Sequence, residues 1–148
     1  MSNPNPTPVS RTTALLTMAA IAMSAFAMPA QAHHAFAAEF DGEKPIELTG
    51  VVTKVTLFNP HSWLYVDVKD AKGEVVNWGW EFGSPFSLQQ KGLTRTTVPI
   101  GTVVTLKGYR SKNGQAFAYS THITLPDGKV IQTGGAPDAP TAPAPTNG

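Results

Sequence analysis

A mainly β domain interrupted by one short helix is the fold this sequence predicts. Two patterns carry the prediction. Apolar residues recur with a period of two rather than 3.6 between residues 46 and 125, and turn-forming residues separate these runs at short intervals. The helix is the exception: the stretch from Ser84 to Gly92 has helical start and stop signals.

The first strand is expected from about Ile46 to Phe58. It is long enough to need a bend, and Gly50 inside it marks a bulge or a close backbone approach. Asn59-Pro60 ends it. The second strand, Ser62 to Val68, alternates Leu64, Val66 and Val68 with Trp63, Tyr65 and Asp67, so the aliphatic row should face the core. Asp70 to Gly73 forms a hairpin loop. The third strand, Glu74 to Phe82, sets Val76, Trp78, Trp80 and Phe82 on one face, with Val75, Asn77, Gly79 and Glu81 on the other. Ser84 reads as an N-cap, Pro85 as the first helical residue and Gly92 as the terminating glycine of a two-turn helix. Two strands follow, Thr102 to Arg110 with Val104 and Leu106 inward, and Ala116 to Leu125 with Phe117 as a core candidate, joined by an Asn113-Gly114 turn. Three strands, a short helix and two strands is the element order of an OB-like five-stranded barrel, which leaves few open sheet edges. An antiparallel β-sandwich is the alternative arrangement of the same strands.

Three segments make up the 148 residues. Residues 1–32 read as a cleaved signal peptide: a polar start ending in Arg11, an apolar run from Ala14 to Met28, and small residues in Ala30-Gln31-Ala32. That run is shorter than the roughly 20 residues of a permanent membrane helix, so no lasting membrane span is expected after cleavage. Residues 33–133 form the β-barrel domain, and residues 134–148, rich in Pro and Ala, read as a disordered tail. Cysteine is absent, so no disulfide stabilises a domain expected in an oxidising compartment.

The leader carries one basic residue and no acid, so its removal leaves ten basic against ten acidic side chains. Lys44, Lys54, Lys69, Lys72 and Lys107 alternate with Glu43, Glu47, Asp67, Asp70 and Glu74 instead of gathering on one face, which argues against nucleic acid as a partner. The sequence has no phosphate-binding loop, nucleophile elbow, zinc-protease helix or calcium loop. Binding is therefore expected in preference to catalysis.

Two constellations are left as candidate sites. Cleavage after Ala32 makes His33 the first residue and His34 the second, so an α-amine of pKa about 8 lies beside two imidazoles. A nitrogen-rich set of this kind suits Cu(II), and His61 in the first inter-strand loop offers a further nitrogen. Phe36 and Phe40 would pin this arm to the barrel, while Glu39, Asp41 and Glu81 are possible oxygen ligands. Plain alternatives are solvated terminal histidines, a His61 bonded to a loop carbonyl, and a His122 exposed along its strand. The second constellation is aromatic. Trp78 and Trp80 share their face with core residues, whereas Trp63 and Tyr65 occupy the opposite face, near Asn59, and could bind an organic ligand or a partner protein without metal. A redox enzyme with histidine-ligated copper is a third reading.

Ala32-His33-His34-Ala35-Phe36, Gly50-Val51-Val52 running into Asn59-Pro60-His61-Ser62-Trp63, then Trp80-Glu81, Ser84-Pro85, Lys91-Gly92-Leu93 and Leu125-Pro126-Asp127-Gly128 resemble an exported bacterial family of unknown function. The likeness spans about residues 30–131 and rests on the paired histidines and the Asn-Pro-His-x-Trp motif. It implies a signal peptide, periplasmic residence and a compact β-rich domain, and it brings no ligand residues with it. Ala35 stands where many relatives have serine.

Overall fold

The computed structural model describes residues 36–140. The elements in chain order are α1 (Phe36–Glu39), β1 (Phe40–Thr56), β2 (Ser62–Lys69), β3 (Val75–Phe82), α2 (Pro85–Gln90), β4 (Val103–Ser111), β5 (Phe117–Thr124) and β6 (Val130–Gln132). Hydrogen bonding runs β3-β2-β1-β4-β5-β6, and a further β3–β5 pairing closes the first five strands into a ring. All pairings are antiparallel except β3–β5, which is parallel and extends over only Gly79–Phe117, Trp80–Ala118 and Glu81–Tyr119. The ring is therefore an OB-like barrel that closes unevenly.

At 17 residues, β1 serves two neighbours in succession. Its stretch from Pro45 to Val51 pairs with β4, and its stretch from Val51 to Thr56 pairs with β2. Pro45 precedes the β2 pairing, so the N–H that proline lacks is not needed there. The close approach expected at Gly50 is present: a Cβ there would lie 2.7 Å from the Asp67 carbonyl oxygen. The register shift falls slightly later, between Val52 and Lys54.

Within the ring, Leu64, Val66 and Val68 of β2 face inward with Trp80, Phe82, Val104 and Leu106, as the alternation predicts. Helix α2 covers this core through Leu88, which is fully buried. Ser84 caps the helix by accepting a hydrogen bond from Ser87 N. Past its C-terminus, Gly92 (φ +84°) lets Leu93 N donate to Leu88 O and Gly92 N to Gln89 O, which satisfies two terminal carbonyls.

Beyond α1, which no sequence signal marked, and a β1 that begins at Phe40 rather than at about Ile46, the structure departs from the sequence expectations in three further places. The strand β6 was not anticipated, because three residues are too few to show a period. Phe117 lies outside the main core, half-buried in a second cluster on the outer face with Phe36, Phe40, Tyr109 and Tyr119. The segment from Gly134 to Pro140, expected to be loose, lies on that cluster through Ala136 and Ala139, and Tyr119 Oη accepts from Gly135 N and Ala136 N at 2.8 Å each.

Candidate functional site

Strand register determines which side chains share the outer face. Trp63, Tyr65 and Asp67 of β2 stand opposite Glu81, Gly79 and Asn77 of β3. The parallel β3–β5 seam adds Phe117 next to Gly79 and Tyr119 next to Glu81. Gly79 lies between Tyr65 and Phe117, and its missing side chain lets the Tyr65 ring lie close over the backbone, since a Cβ there would come within 3.3 Å of that ring. Trp63 leans across to stack on Phe117, with centroids 5.0 Å apart and planes 16° apart. Its ring is also near-parallel to that of Tyr65, at 6.4 Å and 25°.

These rings border an open cleft of about 350 Å³, lined by Trp63, Tyr65, Asn77, Gly79, Asn113, Gln115, Ala116 and Phe117. Side chains of β2 and β3 together with the β4–β5 loop are where OB barrels commonly bind ligands. No charged side chain belongs to the lining. Lys54 stands over the Tyr65 ring at 5.2 Å, and Asp67 accepts from Asn77 Nδ2 at 2.7 Å, so the nearby charges are one of each sign.

Of the residues singled out in the sequence, Trp63 and Tyr65 line the cleft, both half-buried. Asn59 is exposed in the β1–β2 loop and is not part of the lining. The side chain of His61, at the end of that loop, is one-third exposed, and its Nδ1 lies 2.5 Å from Oε1 of Glu81, whose side chain is only 9% exposed. That contact gives a buried acid the polar partner it needs. His33 and His34 lie outside the described residues. Among the described residues no group of three or more His, Asp or Glu converges to hold a metal. Asp41 pairs with Lys44 at 3.0 Å, and this hydrogen bond holds its carboxyl below the usual range. His122, in β5, is half-buried, and desolvation followed by the charges of Lys107 and Lys91 pushes its pKa down.

Asn77, Gly79, Asn113, Gln115 and Phe117 also line the cleft and were not singled out as site residues. The sequence does set Asn77 and Gly79 on the outward face of β3. Their place beside Tyr65 follows from register, and that of Phe117 from a pairing between strands far apart in the chain.

A family model described as "Family of unknown function (DUF6152)" matches residues 20–120, ending in the middle of β5. A search of curated proteins found no match.

Proposed function

The chain thus belongs to a family of unknown function, DUF6152, and from the geometry of its outer face we propose that it is a binding module for a neutral, ring-bearing organic ligand. One observation carries this reading: three aromatic rings surround a cleft floored by glycine and rimmed by uncharged amides. Its size falls near the lower end of the roughly 300–1,000 Å³ typical of small-molecule sites, which suits one or two rings. In this proposal the protein is exported to the periplasm through its cleaved leader and meets the ligand there.

The test is a screen of neutral ring compounds by amide chemical-shift perturbation. Ligands should shift Gly79, Phe117 and the Trp63 indole, and Gly79→Val, which fills the floor, should abolish those shifts. Binding that persists unchanged in Gly79→Val would overturn the cleft reading.

The contact between His61 and Glu81 favours a second reading, copper capture by His33, His34 and His61. Histidine ligands to metals usually give their other ring nitrogen to a carboxylate, and Glu81 provides one. Cu(II) titration of protein beginning at His33, and of a version with one alanine added before it, tests this. A large loss of affinity on adding alanine is expected, and equal affinities would exclude the terminal chelate.

A further inference from the structure

Resting on the cleft reading, we infer that the ligand is a neutral saccharide, held by stacking on Trp63 and Tyr65 and by hydroxyl hydrogen bonds to Asn77 and Asn113. The two amides are polarised in opposite senses by their neighbours. Asn77 Nδ2 donates to Asp67 Oδ1 at 2.7 Å and to Thr53 Oγ1 at 3.0 Å, so its amide hydrogens are engaged and its carbonyl oxygen is left to accept. Asn113 is the reverse. Its Oδ1 accepts from Ser111 Oγ at 2.8 Å and from Gln115 N at 3.0 Å, so its NH₂ is left to donate. An acceptor on one wall and a donor on the other suit a hydroxyl-bearing ring, since each hydroxyl can both donate and accept.

Ring spacing favours a ligand that lies over the aromatic side chains rather than between them. A flat ring inserted between two others needs roughly 7 Å, twice the ~3.5 Å contact distance, and Trp63 and Tyr65 are 6.4 Å apart. Trp63 already has Phe117 stacked on it. The apolar C–H face of a sugar can rest across such a surface, and its polar edge then meets the amides. A nucleic acid strand stacks equally well but needs cations for its phosphates. The lining provides none, and the one lysine beside it, Lys54 over the Tyr65 ring, is offset by Asp67 beside Asn77.

The experiment is titration of the purified protein, followed by tryptophan fluorescence and calorimetry, with hexasaccharides of glucose and of N-acetylglucosamine and with caffeine as a flat neutral heterocycle. At least one hexasaccharide should bind. Trp63→Ala should weaken it tenfold or more, and Asn113→Asp, which keeps the loop's acceptor but replaces the donor, should weaken it about fivefold. Gly79→Val should abolish binding and serves as a second variant if Trp63→Ala does not fold. Caffeine binding that depends on Trp63, without saccharide binding, would overturn the saccharide assignment and keep the cleft. Binding of none of the three would overturn both, and saccharide binding unaffected by either Trp63→Ala or Gly79→Val would overturn the location.

Discussion

At Gly108 a Cβ would fall 1.7 Å from the Tyr119 carbonyl oxygen, a clash of main chain with side chain that no rotamer relieves. Gly108→Ala should therefore abolish cooperative unfolding, as followed by circular dichroism. Gly73 is a useful contrast, because it needs its positive φ of 84° but has open space around it. Gly73→Ala should cost about 1–2 kcal/mol, the strain of a left-handed residue alone, read as a shift in denaturant midpoint. His122 gives a pH dependence. Its folded pKa lies below the unfolded value near 6.5, because desolvation and then Lys107 and Lys91 disfavour the imidazolium. The unfolded chain therefore binds the proton first. Stability should fall as pH drops from about 6.5 through the lowered folded value, and His122→Gln should flatten that part of a stability profile between pH 7 and 5.

Among the elements, α1 and the segment from Gly134 to Pro140 are held by the aromatic residues beneath them. Phe36 is 4% exposed and touches Phe40, Tyr109 and Tyr119. Phe36→Ala should cost about 3 kcal/mol and speed amide exchange over residues 36–40, with the main core unchanged. Tyr119→Phe removes the acceptor of two backbone N–H groups, and faster exchange should then appear at Gly135 and Ala136. The role of Phe36 and Phe40 as anchors was legible in the sequence, since large aromatics in a polar stretch need a surface to bury them. The docking of residues 134–140 was not. Ala, Pro and Gly show no apolar period, and the contact depends on a phenol oxygen contributed by β5.

For the whole molecule, the weakest seam of the five-stranded ring should be the parallel β3–β5 pairing, with three paired positions against the eight along β2–β3. Hydrogen exchange should find Gly79 N, which donates to Ala116 O across that seam, less protected than the β2–β3 amides. Equal protection would mean that the ring opens only on global unfolding. The sequence by itself determined the β class, the inward aliphatic rows, the capped helix before β4 and the outward direction of Trp63 and Tyr65, because alternation, turn chemistry and caps are local properties. Only the tertiary structure decided that Phe117 would meet Trp63 across Gly79, and that Glu81 would lie buried beside His61. Alternation says which face a residue occupies, but which strands become neighbours is set by ring closure, and closure depends on packing between segments distant in the chain.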